Sequence, residues 1–380
     1  MPVHSPKIIL LINSLGTGGA EKQLVYLALA LKKLDYDIQV FTLITEDMNP
    51  GYQKQLTDAH IPLKSFDAIP GDLNPLILLN VMIAIRHTKA DIVHSFLFHS
   101  NLVARLARLI NPHIIQISSI RSLIEGGRKR DRLYRLTDPL CHITTQNSQP
   151  GAARYIQTKS VPAHKMRIIP NGIDTKHFSP QPHHRTKLRH ELDLGENLTW
   201  LSVGRLERVK NYPLLLHTFH RIIKQYPQTR LLIAGDGPLR SELENLLIVL
   251  DLTTTVQLLG VRRDINEVMN AADACVLSSL WEGTPNVLLE AGATGLPVVA
   301  CDVGGVADTM MNGVTGFLAE PENEQDLLET MIQIMDMSDA QRQQVGCAGR
   351  AYIVEHYSLE NSIKHWIEVY QETLAHRGNL

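Results

Sequence analysis

The sequence predicts an α/β protein made of two Rossmann-like, doubly wound domains with parallel sheets. Three observations carry that expectation. Short runs that are apolar throughout, rather than alternating, recur along the chain, as strands covered on both faces require. Amphipathic segments separate them, which is the βαβ order. The chain has 380 residues, long for one core and ordinary for two.

The first series places strands at Lys7–Ile12, Ile38–Leu43, Asp91–His94, Ile114–Ser119, His142–Thr145 and Met166–Ile169. Helical patterns such as Ala20–Leu34 and Asn101–Ile110 lie between them. IPNGIDTKHFSPQPHHRTK then breaks the rhythm: Asn171-Gly172 marks a turn, and Pro180 and Pro182 stiffen a polar connector. The second series has strands at Thr199–Val203, Arg230–Ala234, Val256–Leu259, Ala274–Leu277 and Val298–Ala300, with helices near 211–225, 237–250, 285–294 and 323–336. Residues 338–377 read as helix only. Domains are expected at 1–175 and 176–357, facing a cleft, with a final segment at 358–380. Ligands of open α/β sheets bind beyond the carboxyl ends of the strands, so the loops that follow strands are where chemistry is sought.

Composition narrows the class. Hydrophobic residues make up 44% and charged residues 20%, as in soluble globular proteins. Cys141, Cys275, Cys301 and Cys347 are widely spaced, which argues against a disulfide framework or a zinc site and fits a reducing, cytoplasmic setting. MPVHSPKIILLINSLG has too short an apolar run for a signal peptide or a membrane span, and no run of 18 uncharged apolar residues follows. Net charge is −2, unevenly spread: residues 1–180 hold 21 Lys+Arg against 13 Asp+Glu, and residues 181–380 hold 16 against 26. The basic half could face an anionic surface, or the asymmetry could be ordinary variation between domains.

WEGTPNVLLE carries two carboxylates eight residues apart within apolar sequence. A loop through Glu282-Gly283 leads to a helix that begins near Pro285, a residue suited to the first helical position. The amides of Asn286, Val287 and Leu288 would then form an anion site, and Gly283 would let a ligand approach the backbone. Glu290 falls on an apolar helix face and needs a donor, which sugar or ribose hydroxyls could supply. The competing reading is a Glu solvated at a helix edge or bonded to nearby amides.

In LSVGRLERVKNYPLLL, Arg205 and Lys210 follow a strand and precede a helix, positions from which a planar fork and a point charge can clamp a diphosphate. A surface pair with Glu207 is the alternative. SLGTGGAEKQL, with Gly18 and Gly19, resembles GxGxxG only loosely and supports a phosphate-touching loop better than a dinucleotide site. In DIVHSFLFHSN, His94 and His99 are candidates for proton transfer, each weighed against a structural role. The only DxD string, Asp35-Tyr36-Asp37, lies before a strand and reads as a solvated turn, so no metal site is expected. RSLIEGGRKRDRLYRL gathers Arg121, Arg128, Lys129, Arg130, Arg132 and Arg135 among leucines. Such an element can rest on anionic lipid or be a plain solvated helix, and no nucleic-acid motif accompanies it.

SVGRLERVKNYPLLL, LLIAGDGPLRSELE, VQLLGVRRDI, WEGTPNVLLEAGATGLPVVACDVGG and NGVTGFL together resemble retaining glycosyltransferase family 4, of GT-B fold. GTGGAEKQL, DIVHS and IPNGID match in order. The resemblance implies a nucleotide-sugar donor in the C-terminal domain, an acceptor in the N-terminal domain, and a last helix that crosses back to the first domain. It implies that Arg205 and Lys210 hold the diphosphate, Glu290 the ribose and Glu282 the transferred sugar. Val261 and Arg262 would lie by the nucleobase. Many relatives read HxH where this chain has His94 and Phe96. Arg121 stands where relatives often carry His, which suggests an anionic acceptor.

The expected function is metal-independent, retaining transfer of a hexosyl group, from a UDP-sugar, to a saccharide or polyprenyl-diphosphate-linked saccharide in bacterial surface polysaccharide assembly. No cofactor is expected beyond the donor, and peripheral contact with the inner face of an anionic cytoplasmic membrane is. A sugar-nucleotide hydrolase or epimerase of the same fold, or a non-catalytic nucleotide-sugar binder, are the alternatives.

Overall fold

The computed structural model describes residues 5–46, 48–68 and 74–377. The chain forms two compact units, Met1–Gly172 with Leu359–Leu380, and Ile173–Ser358.

The first unit is a seven-stranded sheet in the order β3-β2-β1-β4-β5-β6-β7. The strands are β1 (Lys7–Ile12), β2 (Asp37–Thr42), β3 (Leu63–Ser65), β4 (Ile92–Phe96), β5 (Ile115–Ile120), β6 (Ile143–Gln146) and β7 (Met166–Ile168). All its pairings are parallel, with Leu10 opposite both Val40 and His94. The helices are α1 (Gly19–Lys33), α2 (Pro50–Asp58), α3 (Pro75–Thr88), α4 (Phe98–Ala107), α5 (Arg128–Thr137), α6 (Gln149–Gln157) and the last one, α14 (Leu359–Arg377).

Strand alternation sorts these helices into two layers. Ile8, Leu10 and Ile12 of β1 pack with α1, α2 and α14 through Leu24, Leu56 and Trp366. Ile9 and Leu11 pack with α3 and α4 through Val81, Ile85, Val103 and Ala104. Helix α5 joins that second layer, its Tyr134 ring 5.3 Å from Phe98 of α4. Apolar runs alone do not mark α2, α3 and α6. Their signals are local: Asn49 and Asn74 cap helices with a proline in the first turn, and Ser148 caps α6 in the same way.

His94 sits at the centre of β4, fully buried. Its Nδ1 is 2.7 Å from the Tyr370 hydroxyl and its Nε2 is 2.8 Å from Ser119 Oγ. Burial, with the positive charge of Arg121, holds its pKa well below the ordinary 6.5. The folded state therefore binds this proton more weakly than the unfolded chain does. Its contribution is complete above the ordinary value and declines as pH falls below it. The expected result is a thermal midpoint that falls between about pH 7 and about pH 5, and falls less in His94→Gln. Some decline remains in the variant, because burial also lowers His142 to about 4. Identical declines in both proteins would remove His94 as a cause.

The second unit is a six-stranded sheet, β10-β9-β8-β11-β12-β13, also parallel. The strands are β8 (Thr199–Val203), β9 (Arg230–Ala234), β10 (Val256–Gly260), β11 (Ala274–Leu277), β12 (Val298–Cys301) and β13 (Phe317–Ala319). The helices are α7 (Pro182–Glu191), α8 (Tyr212–Gln225), α9 (Arg240–Val249), α10 (Ile265–Ala271), α11 (Asn286–Thr294), α12 (Glu324–Met335) and α13 (Asp339–Tyr357). The expected polar connector is corrected here, because its second half is helix α7. Pro182 opens that helix, and Arg185 and Arg189 anchor it on Asp273 at 2.6 and 3.2 Å.

Candidate functional site

In the second unit β8 and β11 are neighbours, with Cys275 opposite Leu201. Their following loops therefore emerge side by side at the carboxyl end of the sheet. The loop after β8 tightens into a 3-10 turn at Arg208–Lys210 and enters α8 through Asn211 at φ 49°. Tyr212 donates its hydroxyl to Gly204 O at 3.0 Å. The loop after β11 is sewn onto it. Leu280 N donates to Val209 O at 2.8 Å, and Ser278 Oγ donates to Lys210 O at 2.9 Å.

This places Lys210 Nζ 2.6 Å from Glu282 Oε1, and Ser279 Oγ donates to the same oxygen at 2.7 Å. The two charged side chains are only 18% and 14% exposed. A lysine and a glutamate so shielded need each other and their further hydrogen bonds to offset the loss of water.

Helix α11 begins beside this pair. Pro285 is its N-cap, at φ −73° and ψ 110°, not its first helical residue as expected. The Pro285 side chain makes no cap bond, and Leu288 N donates back to Pro285 O at 3.1 Å, so the Leu288 amide is engaged within the helix turn and is corrected from the expected anion site. The partial positive charge of the helix end lies next to a cationic side chain. From Val287 to Thr294 every residue is buried, Glu290 included at 7% exposure. The solvated-edge reading of Glu290 is excluded. Its charge reaches the sheet: burial, with Glu290 nearby, pushes the Cys275 thiol up to about 12.

Two glycines set the closeness of these loops. A Cβ at Gly304, φ +55°, would overlap the carbonyl oxygen of Glu282, and one at Gly235, φ +145°, would overlap the carbonyl oxygen of Gly204. With Ser278, Ser279 and Tyr212, these residues shape the site without having been singled out from the sequence. The available signal was their position: all but Tyr212 follow the carboxyl end of a strand.

Among the other expected donor residues, Arg205 and Arg262 are paired with acids of their own loops. Arg205 is 73% exposed and bridges to Glu207 at 2.8 Å, the surface pairing weighed against a phosphate clamp. Arg262 is paired with Asp264 at 2.8 Å, and Val261 is exposed. Gly283 lies half-buried in the 278–285 loop.

In the first unit Gly18 is the N-cap of α1 and Gly19 its first residue. The Glu21 carboxyl folds against Gly18, and burial raises its pKa. An acidic group already sits where a phosphate contact was expected. His94, with both ring nitrogens bonded in the core, is corrected from a candidate acid–base to a structural residue, and Phe96 is buried beside it at 4.3 Å between rings. His99 differs. It lies in the first turn of α4, half-buried, on a cavity of about 310 Å3 lined also by Asn13, Ser122, Glu125 and Arg130. Burial, then the charge of Arg130, lowers its pKa, which favours the neutral imidazole.

The basic segment divides. Arg121 is bonded to Asn171 and lies over the Phe96 ring, and burial lowers its pKa to about 10. Arg130 stacks on Phe98 at 4.5 Å and donates to Glu125 O at 3.2 Å. Arg135 donates to Lys159 O at 2.9 Å, at the end of α6. Arg128, Lys129 and Arg132 are exposed on α5, and no ion pair engages them among the described residues. Asp35 is an exposed turn residue and Asp37 pairs with Lys7 at 3.5 Å. Among the described residues no three His, Cys, Asp or Glu side chains cluster as metal ligands, and no helix is long and apolar enough to cross a membrane.

Residues 184–352 match the family described as Glycosyl transferases group 1, and residues 17–177 match Glycosyltransferase Family 4. A glycosyltransferase of Methanocaldococcus jannaschii is 24% identical over 263 residues, 61% of this chain and 63% of that one. The Escherichia coli UDP-Gal:alpha-D-GlcNAc-diphosphoundecaprenol alpha-1,3-galactosyltransferase is 33% identical over 176 residues, 45% of this chain and 46% of that enzyme. The chain thus spans between about half and two thirds of these two relatives. The crystal structure of Anabaena Alr3699/HepE in complex with UDP superposes with a TM-score of 0.85 at 23% identity, covering 96% of this chain and 100% of that one. The two parallel-sheet units follow the GT-B pattern. The chain belongs to the group 1, family 4 glycosyltransferases.

Proposed function

We propose that the protein is a retaining, metal-independent hexosyltransferase that uses a UDP-sugar and a lipid-linked saccharide acceptor in bacterial surface polysaccharide assembly. The second unit would take the donor and the first the acceptor. The observation that carries this is the shielded Lys210–Glu282 pair at the head of α11, with buried Glu290 eight residues further on. A diphosphate has higher charge density than a carboxylate, so it would draw Lys210 from Glu282 and sit on the helix end. Glu282, released, would accept a hydroxyl of the transferred sugar, and Glu290 the ribose hydroxyls.

As the glycosidic bond breaks, charge grows on the leaving phosphate, and Lys210 and the helix end stabilise it without reorganising. The acceptor oxygen attacks on the face that the phosphate leaves, the phosphate oxygen takes the acceptor proton, and the anomeric configuration is retained. Neutral His99, in its cavity with Arg130, would orient the substrate. HepE was crystallised with UDP, and the acceptor in the name of the E. coli relative is a diphosphoundecaprenol-linked sugar; both support these choices. Arg128, Lys129 and Arg132 would hold the enzyme to the anionic inner face of the cytoplasmic membrane.

The test is a thermal-shift screen of nucleotides followed by transfer assays with EDTA present. The expected result is stabilisation by UDP and sugar transfer that survives chelation. Free sugar or an epimer formed from UDP-sugars alone would overturn it. His99→Ala should raise the acceptor KM more than the donor KM; the reverse pattern would remove His99 from the acceptor side.

A further inference from the structure

We propose that α3 is a bilayer-inserting element, with Leu76, Leu79 and Ile83 entering the acyl region of an anionic membrane surface. The proposal rests on the reading of a lipid-linked acceptor and goes beyond it, because charge on α5 alone would give only adhesion to headgroups.

The stripe is an anomaly of burial. Val81 and Ile85 point into the core against β1 and α4. On the outward side Leu76, Leu79 and Ile83 are 68%, 46% and 38% exposed, at the i, i+3, i+7 spacing of one helix face. Helix α3 contains no acidic residue. A solvated helix face would carry charge there.

The surroundings identify the occupant. Helices α3, α4 and α5 lie on the same side of the sheet. Most of α4 is buried, so α3 and α5 supply much of the outer surface of this layer. Helix α5 contributes Leu133 and Leu136, both exposed, one turn beyond the exposed Lys129 and Arg132. Residues 74–140 hold ten Lys and Arg against four Asp and Glu, and each of the four acids is engaged. Asp91 accepts Lys7 N, Glu125 accepts the Tyr134 hydroxyl, Asp131 pairs with Arg154 and Asp138 with Lys165. An apolar stripe in a region where cations outnumber acids ten to four, two of those acids being ion-paired, complements anionic lipid. A second copy of the chain is the poorer partner, since a twofold contact would bring like-charged rims together.

The test uses the full chain and vesicles of phosphatidylglycerol with phosphatidylcholine. Leu79→Trp is expected to show a vesicle-dependent blue shift and quenching by brominated phosphatidylcholine, beyond the response of the three native tryptophans. The triple variant Leu76→Ser, Leu79→Ser, Ile83→Ser is expected to lose about tenfold or more in vesicle partition, while its response to UDP stays intact. An introduced indole that stays unquenched while the protein cosediments would overturn the insertion and leave only charge adhesion. A wild-type dimer in ultracentrifugation that the triple variant converts to monomer would assign the stripe to self-association instead. A wild-type chain that ignores these vesicles at low salt but responds to UDP would end the docking and leave the donor reading standing.

Discussion

Lys210→Ala is expected to lower sugar transfer by about 100- to 1000-fold, the scale for removing one preorganised electrostatic group from a site of developing charge. The argument is geometric. Lys210 is held at the end of a 3-10 turn whose backbone is bonded to the loop of Glu282, so it cannot be replaced by a neighbour. Arg205, five residues earlier, is exposed and paired with Glu207. The loss should fall in kcat more than in the donor KM, because the phosphate gains charge as the bond breaks. Lys210→Arg restores charge but not the point geometry and should recover only part of the rate. The variant also leaves the Glu282 carboxylate without its cation, so unfolding must be measured beside activity. Full transfer by a folded Lys210→Ala protein would refute the assignment.

Gly304→Ala should destabilise the second unit by about 3 kcal/mol or more and abolish the response to UDP. Two costs combine. A left-handed φ of +55° costs an alanine about 1 kcal/mol, and its Cβ would overlap the Glu282 carbonyl oxygen, which no side-chain rotation relieves. The chain supplies its own control. Gly313 has φ +79° but nothing within 4 Å of the added Cβ, so Gly313→Ala carries the conformational cost without the collision. The melting temperature should drop by several times more in the first variant than in the second. Comparable drops would mean that backbone strain, not the packing of the loop on Glu282, governs this turn.

Much of the site was legible because it is local in sequence. A strand, a loop with Glu282, a proline and an apolar helix with Glu290 all fall within 274–294, and nearest-neighbour chemistry fixes their order in space. Lys210 was legible as a cation at a loop–helix junction. Its bond to Glu282 was not, because 72 residues separate them and only the β8–β11 pairing brings them together. The histidines make the same point. His94 and His99 read alike, five residues apart at a strand–helix junction. Strand alternation turned one into the core against Tyr370, 276 residues away, and the helix start left the other on a cavity. The six-cation segment likewise read as one basic element, until folding tied Arg121 to Asn171 and Arg130 and Arg135 to carbonyls, and left Arg128, Lys129 and Arg132 exposed without an ion pair among the described residues.

The sequence by itself determined the two parallel-sheet domains, the strand ends that carry loops, and the types of group available there, since apolar periodicity, caps and turn residues act over a few positions. Tertiary structure alone decided which of those groups meet: the ion pair, the burial of Glu290, the close glycine at 304 and the apolar face left open on α3. These depend on strand order and on which side of a sheet each helix packs, and that is set by the summed burial of the whole core, not by any short stretch of chain.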